Sequence, residues 1–380
     1  MTTKTTKTIR KRLASLDALR GMDMFWILGG QSIFAALFVL TGWQGWQLFE
    51  AHTVHSPWHG FTFYDLIFPL FIFLSGVAMG LAPKRIDHLP FSQRQPYYQK
   101  ALKRLLLLCL LGILYNHGWG TGIPAALGEV RYTSVLGRIA IAWFFCALLV
   151  WHTSARTQAF VAVGVLLFYW LLLCFIPVPG GSAGDLAANG AGSWNAWFDK
   201  YFLPGISYQN KVVDPEGVLS NLPAIVNALA GVFVGRFIAQ AQQFGQWRSV
   251  AALFSAGLAS VLFGWLWDLQ FPVNKELWTS SFVLVTVGWS AILFAIFYAL
   301  VDLLNTQRLV YPFIIIGANS IIIYLASSLV NWDYISRSVF GGVIAIASAD
   351  WQPILSVFAL LFVQLLVLHW MYKRKIFVSV

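Results

Sequence analysis

His55 and His59 stand just ahead of a long apolar segment, and that segment carries a carboxylate, Asp65, about one turn inside it. The stretch reads His55-Ser-Pro-Trp58-His59-Gly-Phe-Thr-Phe-Tyr-Asp65-Leu-Ile-Phe-Pro69. An imidazole moves protons near neutral pH. A carboxylate beside it fixes its tautomer and stabilises its charged form. An ionisable group at membrane depth is costly and marks a functional site by default. The residues alone leave two readings open. One is an acid–base site. The other is a pair of interfacial histidines with an aspartate that caps its helix or pairs with a neighbour. A metal site is not expected: Pro57 interrupts the spacing of His52, His55 and His59, and no Cys or carboxylate cluster completes a ligand set.

Other charged and polar groups recur near the ends of apolar runs. Asp17, Arg20 and Asp23 are spaced by three, which places them on one helix face. They read as an ion-pair anchor or as part of a site for an anionic ligand. Lys100, Lys103 and Arg104 open a further apolar run. Arg138, in Val-Leu-Gly-Arg138-Ile-Ala, sits close to apolar sequence and needs a partner or a water-filled cavity. Asn274-Lys275-Glu276 precedes a late span, and Asn319-Ser320 interrupts a run of isoleucines as a cavity wall would. Most other polar residues of such helices join helix to helix.

These groups need a scaffold, and composition defines it. Of 380 residues, 58% are hydrophobic and 11% charged. The mean hydropathy is +0.70. Apolar runs near 20 residues long imply an all-α polytopic integral membrane protein. About ten transmembrane helices are expected: 22–41, 61–81, 101–115, 135–151, 159–176, 218–238, 250–267, 280–301, 310–330 and 354–371. The 18 tryptophans suit bilayer boundaries. Cys109, Cys146 and Cys174 fall inside apolar runs and read as packing residues. The net charge of +10 is no nucleic-acid signal, because most of the 25 Lys and Arg residues fall on one set of span ends. The positive-inside rule then places both termini in the cytoplasm. The N-terminus lacks a cleavage site and is read as a retained span, with a bacterial inner membrane as the setting.

The chain reads as one membrane domain, 1–380. It has a basic cytoplasmic tail at 1–15 and a long periplasmic loop at 177–217. The loop opens on breakers and carries Trp194, Trp197, Phe198, Tyr201 and Phe202, so an ordered piece lying on the membrane is expected. No internal repeat is visible, which gives an inverted-repeat transporter little support. Gly231 and Gly235 form a small-xxx-small pair, a weak sign of close packing or dimerisation.

Five segments in order carry a resemblance: Leu16-Asp-Ala-Leu-Arg-Gly21, His55 to Pro69, Val135-Leu-Gly-Arg-Ile-Ala140, Pro272-Val-Asn-Lys-Glu-Leu-Trp278 and Gly317-Ala-Asn-Ser-Ile321. Together they resemble the heparan-α-glucosaminide N-acetyltransferase family of transmembrane acyltransferases, including its bacterial NagX-type members. The resemblance runs from about Leu13 to Tyr324. It implies transfer of acetyl from cytoplasmic acetyl-CoA, a donor cosubstrate, to the amine of a glucosamine-type sugar across the membrane. The family's His-x-x-Trp-Asn-Gly pattern falls on His55, so His55 would be the base. His59 stands where the family has Asn. A family Asn late in span one falls at Gln31, whose amide offers similar hydrogen bonds. Family members are commonly dimers, so a homodimer is expected.

On this resemblance, Asp65 orients His55, and Gln31 or Asn319 donates to the developing oxyanion. Arg20, Lys103 and Arg104 meet the donor's phosphates, and Arg138 and Asn319 complete its site. Trp58, His59, Glu216, Asn274 and Lys275 form the acceptor site. Direct transfer is favoured over a route through an acetyl-histidine. The competing classes are an amino-sugar transporter using the same cavity and an O-acetyltransferase acting on a cell-envelope glycan.

Overall fold

The computed structural model describes residues 13–118, 120 and 126–378. Lys4, Lys7, Arg10, Lys11 and Arg12 of the expected basic tail lie outside them. Among the described residues the regular structure is helical, with two isolated antiparallel bridges, His59 to Asn274 and Arg131 to Gly205.

The chain opens with α1 (Ala14–Ile27), α2 (Ile33–Thr41) and the short α3 (Gly45–Ala51). Then come α4 (Phe63–Leu81), α5 (Phe91–His117), α6 (Val135–His152) and α7 (Ala155–Phe175). The long loop contains α8 (Trp194–Phe202). After it run α9 (Asn221–Ala239), the short α10 (Ala241–Phe244), α11 (Gln246–Asp268) and α12 (Ser280–Phe297), which ends in a π-helical turn. The chain continues through α13 (Tyr311–Ala318), α14 (Ser320–Leu329), α15 (Trp332–Ile346) and α16 (Gln352–Lys373).

Among the described residues seven helices, including α4, α6, α7, α9, α11 and α16, are long and apolar enough to cross a bilayer. Two bent pairs join them: α1 meets Gly30–Thr41 at 60°, and α13 meets α14 at 77°. Length and composition thus support up to nine spans, where the sequence reading expects ten. The remaining expected span, 101–115, lies within α5, which carries Arg94 and Lys100 ahead of it and Lys103 and Arg104 in its first turn. Helix α15 was not expected at all. Its 15 residues are amphipathic rather than uniformly apolar, so a hydropathy reading passes over them.

Helix α4 is the centre of the bundle. Of its apolar stretch 72% is buried, against 28% for α7 and for α11, which form the rim. It packs on α9, α12, α1 and α6. Inside a bilayer this packing rests on close backbone approach rather than on the hydrophobic effect. A Cβ on Gly231 would lie 2.0 Å from the Phe73 carbonyl oxygen, and one on Gly76 would lie 2.0 Å from that of Ala228. Gly80 and Gly235 meet in the same way, so two small-xxx-small pairs interlock across α4 and α9. Gly231 and Gly235 are therefore consumed inside the protomer. They offer no face to a second copy and so give no support to a dimer.

Local chemistry sets the helix starts. Thr62 and Asp65 form a capping box at the head of α4, with the Thr62 N–H donating to Asp65 Oδ2 at 3.0 Å. Ser134, Ser154 and Ser193 cap α6, α7 and α8. The long loop is ordered around α8, whose Trp194, Trp197, Phe198, Tyr201 and Phe202 pack on one another. Its last turn, at Asp214 and Glu216, folds back toward the bundle. There Asp199 accepts the Asp214 and Val218 N–H groups, each at 2.9 Å.

Candidate active site

A cavity of about 740 Å³ runs through the bundle. Along α4 it is lined by Tyr64, Ile67, Phe68, Phe71 and Ser75, a single helix face. Tyr64 to Ser75 is eleven residues, so the cavity follows α4 for about 16 Å. Helix α5 lines the opposite wall in the reverse direction, from Arg104 through Leu108 to Tyr115. Helices α1, α6 and α14 close the remaining sides through Met24, Ile27, Leu136, Ile139 and Ile321. Tyr115 and Tyr324 stack at 4.2 Å within this wall.

One end is built around His55. Its Nδ1–H donates to Asp65 Oδ1 at 2.8 Å, which leaves Nε2 as the acceptor nitrogen. Asp65 is fully buried behind the ring, and His55 is about half exposed. Asp65 also accepts the Ser56 N–H at 3.2 Å and the Thr62 hydroxyl at 3.1 Å. One carboxylate thus caps α4, fixes the loop ahead of it and orients the imidazole. Lys275 reaches the same ring, with Nζ 2.9 Å from Nε2 and 3.0 Å from Nδ1.

The loops at this end are pinned to each other. The Gly60 N–H donates to the Val273 carbonyl at 2.8 Å, and Asn274 Nδ2 to the Trp58 carbonyl at 2.9 Å. Trp58 faces the cavity, and its Nε1–H donates to the Leu186 carbonyl at 2.9 Å. Arg131 spans the roof. It donates to both Asp214 oxygens, at 2.9 and 3.2 Å, and to Glu216. Although burial opposes charge here, Arg131 holds the Asp214 carboxyl below the usual range. Lys211 pairs with Glu276. The other end of the cavity is basic. Arg20 donates to the Leu74 carbonyl at 3.4 Å and lies 4.0 Å from Asp17. Arg104 stacks on Trp143 at 4.1 Å, and its buried Nε has no hydrogen-bond partner among the described residues.

The structure brings together His55, Trp58, Arg20, Arg104, Glu216 and Lys275 on one cavity, with Asp65 directly behind His55. The other sequence candidates lie off its wall. Lys103 is exposed on the outer side of α5. Arg138 is fully buried between Trp278 and Phe68, 4.6 and 5.8 Å from their rings, and donates to Ser220. Asn274 is a fully buried clip, and His59 lies against it at 3.3 Å. Asn319 sits at the break between α13 and α14. It donates to the Ile376 carbonyl at 3.0 Å and accepts the Val378 N–H at 3.2 Å. Gln31 is half-buried, and its backbone carbonyl accepts from Thr53 at 3.4 Å. Cavity residues that the sequence reading missed include Tyr64, Tyr115, Asn116, Arg131, Tyr208 and Lys211. For Arg131 and Lys211 the signal was their place on the sparsely basic set of span ends.

The protein is thus an all-α membrane bundle with an imidazole–carboxylate pair at one end of a long cavity and guanidinium groups at the other. Sequence comparison supplies relatives. Heparan-α-glucosaminide N-acetyltransferase of Mus musculus is 27% identical over 371 residues, covering 84% of this chain and 55% of the relative. The protein of that name from Homo sapiens is 26% identical over 364 residues, covering 83% and 52%. The protein described here is similar to these heparan-α-glucosaminide N-acetyltransferases along most of its length. It spans about half the length of the curated relatives it matches. No protein-family model matches the chain.

Proposed function

We propose that this protein transfers an acetyl group from cytoplasmic acetyl-CoA, through the cavity, to the amine of a glucosamine-type sugar on the far side of the membrane. The observation that carries the proposal is the cavity itself. It joins Arg20 and Arg104 to His55 across about 16 Å of α4. Acetyl-CoA is polyanionic at its nucleotide and slender at its thioester arm. The guanidinium end suits the phosphates, and the aromatic-lined stretch between the ends suits the arm. The thioester supplies an acyl carbon activated toward an amine. At the other end His55 Nε2, with Nδ1–H held by Asp65, takes the proton that the attacking amine loses. Trp58 gives the sugar ring a flat apolar face, and Glu216 and Glu276 give it hydrogen-bond acceptors.

In this reading the donor side is the side of the basic span ends, with both termini there, in a bacterial inner membrane. Transfer is direct, because Nε2 serves as base in the same step that forms the new bond. Purified protein incubated with labelled acetyl-CoA and glucosamine is expected to yield labelled N-acetylglucosamine. No labelled product, combined with uptake of unmodified sugar into vesicles, would overturn the proposal in favour of a transporter.

A further inference from the structure

Acyl transfer needs a donor for the negative charge that develops on the thioester oxygen, and the two residues the sequence suggests for it do not line the cavity. Asn319 is engaged with the backbone of residues 376 and 378, and Gln31 lies off the cavity wall. We propose that Lys275 is a catalytic residue whose ammonium group holds this oxyanion while His55 takes the amine's proton. The proposal rests on the acyl-transfer reading above.

Three observations carry it. The first is position. Lys275 lines the cavity, and its Nζ lies 2.9 Å from the nitrogen assigned as base. A group that touches that nitrogen stands within reach of an atom reacting beside it. The second is availability. Two other cations at this end are held by carboxylates: Arg131 by Asp214 and Glu216, and Lys211 by Glu276. Lys275 is aimed at the imidazole instead, with Asp65 Oδ1 at 4.0 Å, beyond hydrogen-bond range. The third is rigidity. Lys275 sits on a turn fixed at both ends. The Leu277 N–H donates to Asn274 Oδ1 at 2.8 Å, and the Thr279 N–H to the Asn274 carbonyl at 3.1 Å. The turn closes through Trp278, which is fully buried in a left-handed conformation with φ +54. A non-glycine residue held there costs about 1–3 kcal/mol and persists where its surroundings over-determine it. Burial also pulls the Lys275 ammonium below the ordinary lysine range, with Asp65, Glu216 and Glu276 opposing. A poorly hydrated, pre-positioned cation stabilises developing charge better than a hydrated one.

The step balances with the groups present. The amine lone pair forms the C–N bond, and the carbonyl π pair moves onto oxygen beside Lys275. His55 Nε2 accepts the amine proton. The oxyanion then re-forms the carbonyl and expels the thiolate, which takes the proton back from His55. At rest Lys275 donates to Nε2, and when the substrates enter, the ammonium, held in place, exchanges that bond for one to the carbonyl oxygen beside it, which frees the lone pair that the base needs.

The test uses the purified full chain with acetyl-CoA and glucosamine. Lys275→Met is expected to lower kcat by about 10²–10³-fold, with KM for both substrates close to wild type. Lys275→Gln is expected to match it, which guards against a fold defect peculiar to Met. Added methylammonium is expected to restore part of the kcat of Lys275→Ala and none of that of His55→Ala. Unchanged kcat in Lys275→Met, a loss confined to KM for glucosamine, or no methylammonium rescue would overturn the assignment. A wild-type protein that transfers no acetyl refutes the acyl-transfer reading itself. An active wild type with an equally active Lys275→Met refutes this inference alone.

Discussion

The two ends of the cavity differ in how their charges are balanced. At the His55 end most ions meet an opposite one, Arg131 with Asp214 and Glu216 and Lys211 with Glu276, while Asp65 holds the His55 Nδ1–H. At the Arg20 end two guanidinium groups line the same space, with Asp17 4.0 Å from one and an indole face against the other. A neutralised network fixes geometry and gives little net field. An excess of one sign gives a field that gathers ions of the other. The first arrangement suits a site where atoms must be placed to a fraction of an ångström, the second a site that must hold a polyanion.

If that division is right, substitutions at the two ends fail differently. His55→Ala should show the largest effect, a loss of about 10²–10⁴-fold in kcat with acetyl-CoA binding intact. Equilibrium binding of labelled acetyl-CoA beside turnover separates the two. Next comes Arg131→Ala. Breaking a buried ion network costs about 3–5 kcal/mol, so this variant should lose thermal stability and loosen the 199–220 segment to protease. Arg104→Ala should cost about tenfold in KM for acetyl-CoA with kcat preserved, the loss of one charged contact of roughly 1.4 kcal/mol. A kcat defect in Arg104→Ala of the size seen in His55→Ala would erase the contrast between the ends. The smallest expected effect concerns pH. Burial raises the Asp199 carboxyl to about 6. Its folded pKa is thus above the unfolded value, so its contribution is fully present below about pH 4. It is lost as pH rises through about 6. The outer loop should resist proteolysis slightly better at pH 5 than at pH 7.5, and Asp199→Ala should flatten that difference.

Much of this was legible in the sequence, for physical reasons. Apolar runs separated by charged ends locate spans, since only helices satisfy their own backbone in lipid. His55 and Asp65 lie within ten residues, and a Thr-x-x-Asp cap puts the carboxylate at the helix head, so their meeting was predictable locally. Lys275 is 220 residues from His55, and only the tertiary fold brings them together. For Arg138 the sequence left a partner or a water-filled cavity open, because it does not show Trp278 and Phe68 folding over the guanidinium. The Gly231 and Gly235 pair was visible, but its partner helix was not. Gly76 and Gly80 carry the same spacing, and only the structure shows the two pairs interlocked. Amphipathic α15 escaped because neither its apolar nor its polar face fills a span-length window.

The central claim is that one cavity lets a donor held at the guanidinium end react at His55 on the other side of the membrane. The most direct measurement uses protein reconstituted in one orientation in sealed vesicles, with labelled acetyl-CoA on the Arg20 side and glucosamine on the His55 side. The account predicts labelled N-acetylglucosamine on the His55 side, with none when His55 is replaced by Ala. Product formed only when both substrates share one side would contradict it.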